Sequence, residues 1–76
     1  DVADYSIYPN PTRELLQIHS DTPLEQIELF DLNGRCIQKQ GYPSNTHSTQ
    51  LPLGSLSPGL YILCIDKKIK YKINVW

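Results

Sequence analysis

The sequence predicts a small antiparallel β-sandwich of about seven strands. Short runs of alternating apolar and polar residues recur along the 76 residues, each bounded by Gly, Pro, Asn or Asp. No run keeps a helical period long enough to build an amphipathic helix. A sharp corner, Leu56-Ser57-Pro58-Gly59, then opens into the most apolar stretch, Leu60-Tyr61-Ile62-Leu63-Cys64-Ile65. There Pro58 fixes its own φ and Gly59 accepts φ > 0, the chemistry of a tight turn before a strand.

Residues 1–4, Asp1-Val2-Ala3-Asp4, read as a polar linker ahead of a single domain over residues 5–76. Tyr5 to Tyr8 is a short strand stopped by Pro9-Asn10-Pro11, whose two prolines forbid helix and withhold ladder donors. Glu14 to His19 is the next strand, with Leu16 and Ile18 on one face and Leu15, Gln17 and His19 on the other. Ser20-Asp21-Thr22-Pro23 turns the chain. Glu25 to Leu32 alternates Ile27 and Leu29 against Gln26 and Glu28. Its helix formers allow a helical reading of residues 24–32, but nine residues ending abruptly at Asn33-Gly34, the strongest short hairpin signal in the chain, suit a strand better.

Arg35 to Gln40 returns antiparallel, and Gly41 to Thr46 is a loop. His47 to Leu53 is extended, and Pro52 places it at an edge. The Leu60-to-Ile65 strand is apolar on both faces, which predicts a central strand covered on both sides. Asp66-Lys67-Lys68 is a tight polar turn. Ile69 to Trp76 closes the chain, with Ile69, Tyr71, Ile73 and Val75 on a buried face and Lys70, Lys72 and Asn74 on a wet one.

A chain this short holds one domain of modest stability. A formal net charge of −1 gives no bulk attraction for nucleic acid or anionic lipid. No apolar run approaches the ~20 residues that span a bilayer, and the N-terminus lacks the charged and apolar regions of a signal peptide. With no methionine and Asp1 first, the chain is expected to be a fragment or processed piece that something precedes. Cys36 and Cys64 formally allow one disulfide. Both lie in predicted strands, so two lone thiols are the default reading.

Catalytic and metal chemistry find little support. A Cys36–His47 dyad has no third group to orient it, and His19, His47, Cys36 and Cys64 lack the close pair spacings of zinc sites. Asp31-Leu32-Asn33-Gly34 lacks the alternating carboxylates and terminal Glu of a calcium loop, and Asn10-Pro11-Thr12 carries the proline that disqualifies a glycosylation sequon. No cofactor is expected. Phe30, Leu32, Leu60 and Ile62 lie opposite the proposed core set Ile27, Leu29, Tyr61 and Leu63. Loops, a neighbouring domain or another chain must cover part of that surface.

Four stretches together resemble a known family. Tyr8-Pro9-Asn10-Pro11, Ile27 to Arg35, Leu56 to Leu63 and Lys70-Tyr71-Lys72-Ile73, in this order and at these spacings, resemble the C-terminal sorting domain of the type IX secretion system of Bacteroidetes. The resemblance implies an immunoglobulin-like β-sandwich at the C-terminus of a cargo protein, directing it through the outer membrane to surface attachment or release. It implies no catalysis, passage through the periplasm, and partners in the translocon or its shuttle component, a sortase-like cysteine protease and the upstream cargo. Matched by motif, the recognition candidates are Pro9, Asn10, Pro11, Gly34, Gly59, Tyr61, Lys72 and Ile73. Lys70 joins them as a neighbour on a strand a receptor could extend. Family members commonly finish on Lys or Arg after the apolar pair, whereas this chain ends Asn74-Val75-Trp76. A homodimer through edge strands is a further expectation. The alternative reading is an accessory sandwich for a neighbouring protein domain or for carbohydrate, with Tyr42 and Trp76 as stacking candidates.

Overall fold

In the computed structural model, which describes residues 5–8 and 14–76, the alternating runs become seven strands with no helix among the described residues. They are β1 (Tyr5–Tyr8), β2 (Leu15–Ser20), β3 (Gln26–Phe30), β4 (Cys36–Gly41), β5 (Ser48–Pro52), β6 (Gly59–Ile65) and β7 (Ile69–Val75). A three-stranded sheet runs β1-β2-β5 and a four-stranded sheet β4-β3-β6-β7, with every pairing antiparallel. Hairpins join β1–β2, β3–β4 and β6–β7. The three other connections cross between sheets, so apolar faces made by distant segments meet in one core.

That core takes Leu16 and Ile18 from β2 and Leu51 from β5. Against them stand Ile27 and Leu29 from β3, Tyr61, Leu63 and Ile65 from β6, and Ile73 and Val75 from β7. Each such side chain contributes about 1.5–3 kcal/mol by leaving water. Leu24 and Leu53 add to it from the crossing connections. Their backbone N–H groups donate to Thr46 O at 2.7 Å and Glu14 O at 2.6 Å, which keeps these irregular segments satisfied while their side chains are buried. The two sheets are also tied at their edges. Gln38 Nε2 on β4 donates to Pro52 O on β5 at 2.9 Å, and the Tyr5 and Tyr71 rings meet edge-on at 6.4 Å between β1 and β7.

Residues 24–32 hold a strand, β3, because Ile27 and Leu29 face the core at period two and both flanks are paired. β6 is central, as predicted. Its cover on both sides is not: in a two-layer sandwich its outer face meets solvent, leaving Leu60 46% exposed and Ile62 half-buried, with Cys64 alone buried there. Both cysteines are free. β3 separates β4 from β6, and two inter-strand spacings of about 4.8 Å put Cys36 and Cys64 beyond disulfide reach.

Asn33-Gly34 makes its hairpin by a three-residue loop. Gly34 N–H donates to Asp31 O and Asp31 N–H to Arg35 O, both at 3.0 Å, and Gly34 alone of this loop has positive φ, +87°. This is a turn followed by a left-handed glycine, rather than a two-residue primed turn. The Asp31 carboxylate accepts from Asn33 and Arg35 N–H at 2.9 Å each. The Arg35 N–H foremost, helped by the Asn33 N–H and the Arg35 charge against some desolvation, holds that carboxyl below the usual aspartate range. Since its folded pKa is depressed, its support for the hairpin is full above that range and fades as acid titrates it. Beyond the turn an irregularity opposite Leu29 and Phe30 leaves Ile37 unpaired, and it packs against the core.

The β6–β7 turn is strained. Asp66 and Lys67 have φ of +54° and +58°, and Lys68 N–H closes the turn onto Ile65 O at 3.0 Å. Aspartate tolerates this region and lysine does not. Lys67→Gly is therefore expected to stabilise the domain by about 1 kcal/mol, read as a higher urea midpoint at unchanged slope.

Candidate functional site

Strict alternation in β7 decides which residues a partner can touch. Inward, Ile73 is fully buried opposite Tyr61, and Val75 is buried opposite Gly59. Outward, Lys70, Lys72 and Asn74 are exposed, standing opposite Cys64, Ile62 and Leu60 of β6. β7 is also the outer strand of its sheet. Of the recognition candidates on this strand, Lys70 and Lys72 therefore present charge, whereas Ile73 presents nothing to solvent and acts on any reader only through the fold.

Gly59 and Tyr61 build the corner that enters β6. Gly59 has φ of +152°, a backbone region that side-chain-bearing residues avoid, although a Cβ there would meet nothing within 4 Å. Two residues on, the Tyr61 hydroxyl donates to Ser57 O at 2.6 Å while its ring stays in the core. The tyrosine thus straps the corner shut. This resembles the corner tyrosine of immunoglobulin-type sandwiches, whose hydroxyl also reaches back to the backbone just upstream. Gly34 lies in the β3–β4 turn, at the same end of the sheet as Gly59, because Phe30 pairs with Ile62 and Val75 with Gly59. Pro9, Asn10 and Pro11 lie outside the described residues.

At the other end of the sheet, sequence reasoning saw only a polar turn where the structure has a clasp. Asp66 Oδ1 accepts from the N–H groups of both Glu25 and Gln26 at 2.8 Å, and Asp66 N–H donates to Gln26 O at 2.9 Å. Glu25, Gln26, Asp66 and Lys67 line a shallow recess there. The carboxylate is engaged by backbone donors, so the recess is a structural joint.

The chemistry weighed from sequence is not assembled. Cys36 begins β4 beside Phe30 in the four-stranded sheet, while His47 directly precedes β5 in the three-stranded one, its Nδ1 3.2 Å from Ser20 O. Among the described residues no three His, Cys, Asp or Glu side chains gather as a metal site. Tyr42 is half-buried against the core and its hydroxyl accepts from Thr49 Oγ1 at 3.2 Å. It lies at the Gln26 end of the sheet and Trp76 at the Gly59 end, so the two make no common stacking platform.

The family model described as secretion system C-terminal sorting domain matches residues 6–75. Among solved structures, the chain is similar to part of dimeric latent PorU from Porphyromonas gingivalis. The TM-score is 0.70 at 18% identity, over 97% of this chain and 9% of that one. The chain thus spans under a tenth of that protein's length, and the likeness is one of fold. No curated protein matches the sequence.

Proposed function

Since the chain belongs to the family of secretion system C-terminal sorting domains, we propose that it is the folded export address of a type IX cargo protein and performs no chemistry itself. The observation that carries this reading is the extent of the family match, residues 6–75, from the first strand through the last. In it the cargo reaches the periplasm, and the translocon or its shuttle component reads the sandwich there. A sortase-like cysteine protease then acts at the junction with the cargo, which lies ahead of residues 5–76, residues 1–4 being the linker.

What is read must lie outside the core. We assign recognition to the outward row of β7, where Lys70 and Lys72 stand exposed on the outer strand of the sheet. An outer strand is also where a receptor can add its own. Gly34, Gly59 and Tyr61 serve the same end by holding the corners and turns that fix this row in place.

The test is a fusion of residues 1–76 to a periplasmic reporter in a type IX-competent cell. The reporter is expected at the cell surface or in the medium, and in the periplasm when the domain is omitted. A reporter that stays periplasmic with the intact domain overturns the proposal.

A further inference from the structure

The β3–β4 turn holds a reactive dipeptide. An asparagine loses its amide when the backbone nitrogen of the next residue attacks its Cγ, so the residue that follows decides which asparagines react. The chain has four, Asn10, Asn33, Asn45 and Asn74, followed by Pro11, Gly34, Thr46 and Val75. Proline brings no N–H to the reaction, and the branched Cβ of Thr46 and Val75 crowds the approach. Gly34 presents neither obstacle. Asn33 and Gly34 are both exposed, and a Cβ built on Gly34 would meet nothing within 4 Å, so water and base reach the reacting atoms.

The same turn restrains that chemistry. Three successive N–H groups converge on Asp31. Those of Asn33 and Arg35 donate to its Oδ1 at 2.9 Å each, and Gly34 N–H, whose proton must leave before its nitrogen attacks, donates to its carbonyl oxygen at 3.0 Å. The nucleophile is thus engaged, and one carboxylate pins both its neighbours. We propose that Asn33 is a site of spontaneous modification, held in check by Asp31 and released when the turn opens. In the reaction Gly34 N gives its proton to hydroxide and bonds to Asn33 Cγ. The Cγ–Nδ2 bond breaks, and Nδ2 takes a proton from water and leaves as ammonia. Water then opens the cyclic imide at either carbonyl, giving aspartate or isoaspartate. Either product sets a second carboxylate two residues from that of Asp31, and isoaspartate also lengthens the backbone of a loop closed by Asp31 N–H onto Arg35 O at 3.0 Å. Modification therefore loosens the turn that joins β3 to β4. This chemistry is independent of the export role.

The experiment incubates the 76-residue chain in warm, mildly alkaline buffer, native and in guanidinium chloride, and follows it by tryptic peptide mass. The peptide from Glu14 to Arg35 has Asn33 as its one asparagine. Fragment masses locate the exchange of NH2 for OH there, and an isoaspartate-specific methyltransferase counts the isoaspartate. The denatured chain is expected to convert at Asn33, and the native chain about tenfold more slowly, in proportion to the population of the opened turn. Asp31→Ala in the native state should recover most of that factor, and Asp31→Asn, which keeps one acceptor oxygen, should fall between. Ile73→Val, brought by urea to the same unfolded fraction as Asp31→Ala, should convert more slowly than it. No conversion in the denatured chain removes the site. Native conversion as fast as denatured, or Asp31→Ala no faster than the parent, overturns the guarding role. Equal rates in Asp31→Ala and the matched Ile73→Val assign the rate to global unfolding and overturn it as well.

Discussion

Ile73→Ala is expected to lower stability by about 2–5 kcal/mol, the cost of a cavity at a position that cannot collapse easily. Ile73 is fully buried, stands opposite Tyr61, and sits on an outer strand held from one side by β6. A domain of this length has about 4–11 kcal/mol in total, so the loss takes a large share of it. Urea unfolding should show the drop as a lower midpoint with little change in slope. Ile73→Val, which removes one methylene and keeps the β-branch, should cost only about 0.5–1.5 kcal/mol. The consequence for function is specific: an export defect in Ile73→Ala follows loss of the fold, so it must track the unfolded fraction. A defect that persists in the well-folded Ile73→Val variant would instead point to direct contact with a reader.

Asp66→Ala comes next, at about 2–4 kcal/mol. It removes a charged acceptor from two backbone donors, each such bond contributing about 1.5–3 kcal/mol when buried. The total is set below twice that because the Glu25 side of the clasp is open to water, which can take over the lost bond. Alanine also lacks aspartate's tolerance of the left-handed backbone at φ +54°. Asp66→Asn keeps one acceptor oxygen and that tolerance, and should lose about half as much. Amide hydrogen exchange at Gln26 and Lys68 reports on the two ends of the joint, and both amides should open faster in Asp66→Ala than in Asp66→Asn. Unchanged protection at Gln26 would show that β3 is fixed without the clasp.

Much of the fold was legible because period two is a strong signal when one face is buried. The inward sets of β3, β6 and β7 were read correctly from alternation, the two faces of β2 were separated without either being named inward, and Pro52 correctly marked an edge strand. Leu24 and Leu53 were not assigned to the core. Leu24 is a single apolar residue directly after Pro23, in a connection with no repeat to betray its direction; Leu53 continues the alternation of Thr49 and Leu51, but the segment from His47 to Leu53 was read only as an edge, with no face assigned. The apolar outer positions of β6 were read as buried because composition cannot separate a three-layer fold from a two-layer fold with an exposed apolar stripe. The Asp66 clasp was hidden for another reason: its partners are Glu25 and Gln26, some 40 residues away, and nothing local announces them.

The candidate surface divides the same way. That Lys70 and Lys72 point outward follows from their alternation with Ile69, Tyr71 and Ile73. That Gly34 and Gly59 share one end of the four-stranded sheet does not. It depends on the pairing of β3 with β6 and of β6 with β7, which strand-by-strand reading leaves unspecified. Tyr61 carried a motif signal, but its hydroxyl bond to Ser57 O became visible only with the corner in place.

The central claim, that the export address is a surface carried on a folded sandwich, is tested most directly by one substitution measured two ways. Lys70 is exposed and lies outside the core cluster, so Lys70→Glu should leave the melting temperature within about 4 °C of the parent, as a surface change within about 0.5 kcal/mol does. In the reporter fusion the same variant is expected to cut export about tenfold through charge reversal on the outward row of β7. Unchanged melting with unchanged export would contradict the account.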